Sequence, residues 1–200
     1  METYTLTASQ DPVSGDYQQV LHWTLKDKLS RSILLQILAI PVFILLGSAF
    51  SALAIYVGKL PDNVVFGLRE IRILLAGIVA TIVLHELMHG LAMRRYGARP
   101  QYGVLWKQLV FYATSPGYGF RRNSYVVVAL APLVGLSGLA ILGMLLLQGT
   151  SWVALLAFCA VINGSGAVGD LWMVSIVLRY PRSAYIVDER DGIRVLMRRG

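Results

Sequence analysis

The residues of this chain best suited to chemistry are concentrated in one short segment, His85-Glu86-Leu87-Met88-His89. Two histidines four residues apart lie on the same face of a helix, about one turn from each other, so both imidazole rings can reach one metal ion. Zinc accepts neutral imidazole nitrogen readily and favours four ligands. Glu86 points beside such an ion, where its carboxylate can hold and deprotonate a water molecule. The spacing therefore predicts a zinc site with a general base.

A third protein ligand is expected, because a catalytic zinc site has three protein ligands and one open position. Asp170 is the best candidate, since it is one of only two acidic residues within the apolar stretches of the chain. His85 lies nine residues before Arg94, and Asp170 lies nine residues before Arg179. Both groups are thus about 13 Å from the same end of their helices. We predict Asp170 as the third ligand beside the two histidines.

Other interpretations of these polar groups remain open. A carboxylate at the centre of a spanning helix costs about 2.5–3.5 kcal/mol on insertion scales, so it is retained where it faces a cavity, a partner or a metal. A proton relay or a buried ion pair would also retain Glu86. Asp170 could make a hydrogen bond between helices or pair with an arginine, although no arginine lies at its depth. The metal interpretation is favoured over these.

A second group of polar residues precedes Asp170. Asn163 lies seven residues earlier, two helical turns away on about the same face. Its amide can bind a substrate peptide group or an oxyanion, or it can simply bridge two helices, and the sequence leaves both open. Ser165 is a further candidate for substrate binding. The glycines of this segment permit either close helix packing or a broken helix.

The composition excludes an ordinary soluble domain. Hydrophobic residues make up 56% of the 200 residues and charged residues 14%, with a mean hydropathy of +0.62, whereas soluble domains carry about 25% charged residues. Disordered, collagen-like and disulfide-stapled classes are excluded as well, the last because the chain has a single cysteine. A chain of this size is too small to bury several wholly apolar helices in a soluble core. We therefore expect a lipid bilayer to be its solvent.

Long stretches with almost no charge predict helices that span a membrane. About 20 residues cross the hydrocarbon layer, and the 47 residues from Asn123 to Gly169 carry no charge. This stretch divides at the polar turn Gln148–Ser151, where Gly149 breaks a helix. The sequence therefore predicts four spans, at about residues 32–57, 72–94, 124–148 and 152–178.

The basic residues predict the orientation of these spans. Of the 18 lysines and arginines, 15 flank the spans on one side, and the positive-inside rule places that side, with both termini, in the cytoplasm. Basic residues at span ends suit anionic lipid headgroups better than nucleic acid, which we do not expect as a partner. We expect no cleavable signal, because the first 30 residues lack a short apolar region before a small-residue cleavage site.

The polar ends of the chain predict a little β structure. Residues Thr3–Thr7 and Val20–Leu25 alternate loosely between polar and apolar types, and Ala184–Val187 and Ile193–Met197 flank a turn at Asp188–Gly192. The predicted fold is an all-α membrane protein of four transmembrane helices, with a small cytosolic β element from the termini and a hairpin-like loop between helices two and three. Its predicted parts are a cytosolic N-terminal segment (1–31), a four-helix transmembrane catalytic domain (32–178) and a cytosolic C-terminal tail (179–200).

The connection between the second and third spans, residues 99–122, is rich in aromatic residues, glycine and proline. Aromatic residues commonly form a belt at the membrane interface, which is the simpler interpretation. The alternative is a hairpin that dips towards the metal site. In that case Gly103 to Thr114 would offer a strand edge to an extended substrate.

The arrangement resembles the site-2 protease group of intramembrane metalloproteases, which carry a zinc-binding His-Glu-x-x-His on one membrane helix and an Asn-then-Asp segment on a later one. The chain resembles more closely a family of small bacterial membrane proteins described as zincin peptidases. The resemblance lies in its short length, its four predicted spans and the sequence Gly169-Asp170-Leu171. The resemblance covers about residues 70–180. It differs from the site-2 protease pattern in lacking a proline after Asn163 and in having Leu171, where that group has glycine.

The resemblance implies zinc as cofactor, His85, His89 and Asp170 as its ligands, Glu86 as the catalytic base and a bacterial plasma membrane as the location. We therefore predict an intramembrane zinc metallopeptidase that hydrolyses peptide bonds of membrane-associated proteins or peptides by zinc-activated water. The same polar site could instead belong to a small transporter of metal ions or protons. A third possibility is a membrane scaffold with a structural zinc.

Overall fold

The structure is a computed structural model, and it describes residues 16–24, 29–62, 67–105, 110–190 and 192–199. These residues group into two compact units. One unit is drawn from Met1–Ser32, His89–Ala129 and Asp170–Gly200, and the other from Ile33–Met88 and Leu130–Gly169. The predicted boundaries at residues 31 and 178 stay a prediction.

Helices make up most of the described chain, as predicted. Three of them are long and apolar enough to cross a membrane, over Ile33–Tyr56, Leu68–Arg95 and Arg122–Leu146. The predicted fourth span consists of two helices bent by 41°, which together also pass this test. The five helices are α1 (Leu29–Tyr56), α2 (Leu68–Arg95), α3 (Arg122–Leu146), α4 (Trp152–Gly166) and α5 (Val168–Val177). The four-span topology itself stays a prediction.

The break between α4 and α5 follows from the local sequence. Gly164, Ser165 and Gly166 have low helix propensity, and α4 ends at Gly166, followed by its C-cap residue Ala167, whose N–H donates to the Asn163 carbonyl. The structure shows both effects that the glycines allowed: the helix is broken, and a Cβ at Gly164 would overlap Leu46 of α1, so α4 and α1 also pack closely there. The break places Asp170 in the first turn of α5.

The helical unit packs through small residues. A Cβ at Gly143 would lie 2.8 Å from Leu156 Cδ1, so α3 and α4 approach each other closely. Large apolar side chains on the outer surface remain exposed, with Ile44 at 63% and Leu45 at 69% on α1. This is the pattern expected when lipid surrounds the helices. Its buried core consists of Phe50, Ala54, Ala140, Met144, Val153, Ala157, Ala160 and Val161.

The other unit contains a four-stranded antiparallel sheet in the order β1-β6-β5-β4. Its strands are β1 (Tyr17–Thr24), β4 (Gly119–Arg121), β5 (Tyr185–Glu189) and β6 (Gly192–Arg198). The predicted sheet from the two ends of the chain is therefore confirmed, whereas its cytosolic location stays a prediction. Ile186 and Val195 are fully buried within it. Of the predicted N-terminal strands, Thr3–Thr7 and Leu25 lie outside the described residues.

Two details of the sheet differ from the prediction. The predicted turn at Asp188–Gly192 is too long, because β5 continues through Asp188 to Glu189, which pairs with Gly192. The sequence pattern did not predict β4, a strand of three residues that is too short for alternation to identify. The hairpin-like loop between the second and third helices is confirmed: β2 (Gln101–Leu105) pairs antiparallel with β3 (Val110–Thr114).

Candidate metal centre

The histidine motif lies on the second half of α2. The helix ends in a left-handed Gly97 at φ 86°, and the Ala98 N–H donates to the Met93 carbonyl over 3.1 Å. Glycine is suited to this conformation, and the bond satisfies a carbonyl that the helix end leaves without an intrahelical donor. The turns that carry His85 and His89 therefore lead into a well-defined helix end.

The structure brings the three predicted ligands together. One ligand atom from each of His85, His89 and Asp170 lies within 4.8 Å of the other two. His89 Nε2 is 3.4 Å from Asp170 Oδ1. Two ligands at zinc bond lengths of about 2.0–2.1 Å and a tetrahedral angle lie about 3.3 Å apart. The donor set and its spacing thus fit a metal ion such as zinc.

Each histidine ring is oriented by a hydrogen bond from its Nδ1 atom. His89 Nδ1–H donates to the Val128 carbonyl over 2.9 Å, and His85 Nδ1–H donates to Asn163 Oδ1 over 3.0 Å. His89 is buried, with 8% of its surface exposed. Since Nδ1 carries the proton in both rings, Nε2 is the nitrogen that offers a lone pair to a metal.

Glu86 follows His85 on α2 and is partly buried. Consecutive residues of a helix are about 100° apart around its axis. Its carboxylate is therefore directed to one side of the face that carries the two imidazoles, as the sequence predicted. Its role as a general base stays a prediction.

Asn163 and Ser165, the predicted substrate-binding residues, both make hydrogen bonds within the described chain. The Asn163 amide accepts from His85 and donates through Nδ2 to the Pro132 carbonyl over 3.2 Å. It thereby bridges α4 to both α2 and α3, as one of the two alternatives predicted. Ser165 Oγ donates to the Val161 carbonyl over 2.7 Å, within its own helix. Substrate binding by either residue stays a prediction.

A carboxyl group that the sequence analysis missed lies in β5. The Tyr125 hydroxyl donates to Asp188 Oδ1 over 3.2 Å, and the Thr114 hydroxyl donates to the Asp188 carbonyl over 3.0 Å. Burial raises the pKa of Asp188 from 3.8 to about 7, although the two hydroxyls and His89 oppose the shift. The negative charge of Asp170 also contributes to raising it.

The alternation of the strand indicates that Asp188 is buried, but the predicted strand ended one residue before it. Alternate residues of a strand share a face, so Asp188 lies on the same face as Ile186, which is fully buried. Because the predicted strand ended at Val187, the acid was assigned to a solvated turn. Extending the strand by one residue would have predicted a carboxyl group directed towards the core.

Comparison with known proteins identifies a family whose matched region includes the three candidate ligands. Residues 78–185 match the profile of a family described as "Putative zincin peptidase". A protein of Pyrococcus woesei named as an uncharacterized 24.7 kDa protein in the gap 5' region is 28% identical over 119 residues, which is 56% of this chain and 49% of that protein. The match thus spans about half the length of this relative. No solved structure shows significant similarity to the chain.

Proposed function

The chain belongs to the zincin peptidase family, and on this premise we propose that it is an intramembrane zinc metallopeptidase of the site-2 protease type. The observation that carries the proposal is the convergence of His85, His89 and Asp170, whose ligand atoms lie within 4.8 Å of one another. Two neutral imidazoles and one carboxylate leave a fourth position open, as catalytic zinc sites require.

The chain's own residues supply the steps around the metal. His85, His89 and Asp170 would hold a zinc ion, which would supply Lewis-acid activation of a water molecule. Glu86 accepts the proton of the attacking water at a carboxylate oxygen and then donates it to the leaving amine nitrogen. The Nδ1 bonds of the two histidines hold the rings in place during this cycle.

The proposed site lies within the bilayer. His85 and His89 occur in α2, one of the three helices long and apolar enough to span a membrane. Arg94 and Arg95 in its last turn suit the cytoplasmic interface and the negative end of the helix dipole. Substrates are then membrane proteins or peptides cut near the cytoplasmic boundary.

The hairpin of β2 and β3 is the proposed element for holding a substrate. A Cβ at Gly90, the residue after His89, would overlap the Tyr102 hydroxyl. Tyr102 belongs to β2, so this strand contacts α2 directly beside the metal ligands. A strand edge there can pair with an extended peptide, whose carbonyl groups a helical substrate would conceal.

The test compares Glu86→Gln with the matched control Glu70→Gln, which changes the same residue type near the start of α2. We expect Glu86→Gln to bind zinc as the wild type does and to lose about 10²–10⁴-fold in cleavage of fluorescent transmembrane peptides in liposomes. The control should keep both properties, because glutamine at this position can still accept the Gly67 N–H.

Metal content provides the second arm of this test. Wild-type protein should contain one zinc ion per chain, and Asp170→Ala should contain much less. A metal-free wild type would overturn the proposal. Zinc binding without peptide cleavage, together with transport of ions into liposomes, would favour the transporter instead.

A further inference from the structure

Helix α3 contains a proline in its interior, Pro132. In a regular helix the carbonyl of residue 128 accepts a hydrogen bond from the N–H of residue 132. Proline has no N–H, so Pro132 leaves the Val128 carbonyl without its intrahelical donor. Such a carbonyl, buried in an apolar helix, must find a donor elsewhere.

The donor is a proposed zinc ligand. His89 Nδ1–H bonds to this carbonyl over 2.9 Å, and only 2% of Val128 and 8% of His89 are exposed. The bond holds the proton on Nδ1 and leaves Nε2 facing Asp170 Oδ1 at 3.4 Å. Were the helical N–H present at residue 132, it would compete with His89 for the Val128 oxygen.

The backbone carbonyl of the same residue contacts the amide that orients the other histidine. The Pro132 carbonyl accepts the Asn163 Nδ2–H over 3.2 Å, and Asn163 is 2% exposed. An amide held by its nitrogen presents its oxygen to the opposite side, where Asn163 Oδ1 accepts from His85 Nδ1 over 3.0 Å. The orientation of His85 is therefore determined through Asn163.

We propose that residue 132 positions both proposed metal-binding histidines: the N–H that proline lacks frees the Val128 carbonyl for His89, and the backbone carbonyl of residue 132 holds Asn163, which orients His85. Pro132→Ala tests the first route, and the Asn163 variants test the second. The inference rests on the proposed function, because it assumes that the histidines bind zinc. Removal of a group that orients a metal ligand typically lowers the metal affinity 10–100-fold. This loss is the effect to be measured.

The test uses Pro132→Ala in the full-length protein in detergent, with Pro41→Ala in α1 as the matched control. Zinc affinity is measured by competition with a chelator, and the histidine tautomers are read from ¹⁵N NMR of the zinc-free protein. We expect Pro132→Ala to bind zinc about 10–100-fold more weakly and to lose the single Nδ1–H tautomer of His89. Its thermal stability should be unchanged or higher, because the helix regains an N–H donor. Pro41→Ala should keep wild-type affinity.

Substitutions of Asn163 keep the inference testable should Pro132→Ala fail to fold. Asn163→Leu should weaken zinc binding, whereas Asn163→Asp, which keeps an oxygen acceptor for His85, should restore part of the affinity. Equal affinity in Pro132→Ala and the wild type, or equal loss in the two Asn163 variants, would overturn the inference alone. A wild type that binds no zinc would overturn the proposed function itself.

Discussion

At the scale of single residues, the apolar composition of the helices makes the candidate site conspicuous. Charged groups are costly in an apolar helix, so the sequence alone was enough to select His85, His89 and Asp170 as candidate ligands, and the structure brings them together. The roles of neutral polar groups could not be selected in this way. Whether Asn163 meets a substrate or an imidazole depends on how α2, α3 and α4 are placed, and the structure shows it bonded to His85.

A pH dependence of stability follows from Asp188. The unfolded chain loses this proton near pH 3.8, whereas the folded chain keeps it until about pH 7. Between these values the folded state binds more protons, so the free energy of unfolding falls as the pH rises from about 4 to 7. We expect Asp188→Asn to abolish this decrease, measured as the unfolding midpoint temperature in detergent across this range.

The matched control for this prediction is Asp16→Asn, which removes an exposed acid from the same unit. It should leave the pH dependence of the wild type intact. If Asp188→Asn and Asp16→Asn showed the same pH profile, burial of the Asp188 carboxyl group would not be the cause.

At the scale of elements, apolar length predicted the helices well and short strands poorly. The three long helices were predicted within a few residues because a membrane span must reach about 20 residues. The bend between α4 and α5 could not be predicted from the glycines alone, because glycine also permits close helix packing, as Gly164 does against Leu46. Strand β4, with three residues, forms because β5 pairs with it. The local sequence does not predict pairing with a strand so distant in the chain.

The contact between α2 and the hairpin yields a prediction at this scale. A methyl group at Gly90 would displace the Tyr102 hydroxyl while raising the helix propensity by about 1 kcal/mol. Gly90→Ala should therefore keep the zinc affinity and the stability of the protein but reduce peptide cleavage. The measurements are zinc competition, thermal unfolding and cleavage of the fluorescent transmembrane peptides.

Gly138→Ala is the control for this change, because a Cβ at Gly138 in α3 meets no atom within 4 Å. It should cleave like the wild type. Wild-type cleavage by Gly90→Ala as well would remove the hairpin from the handling of substrate, without affecting the proposed metal site.

At the scale of the whole molecule, the distribution of arginine and lysine predicts how the chain lies in the membrane. In a Cys159→Ser background, new cysteines at Asp16 and Arg182 should react with a membrane-impermeant maleimide only from the cytoplasmic side. A cysteine at Lys59 should react only from the other side. Labelling of all three positions from one side would contradict the predicted orientation.

The pairing of β1 with β6 has a consequence for how the protein is made. Tyr17 pairs with Arg198, so β1 leaves the ribosome long before its partner strand β6. At about 5–20 residues per second this delay is on the order of ten seconds or more. Asp170 likewise emerges after His85 and His89. A nascent chain that has exposed α2 but not α5 therefore lacks one of its three candidate metal ligands.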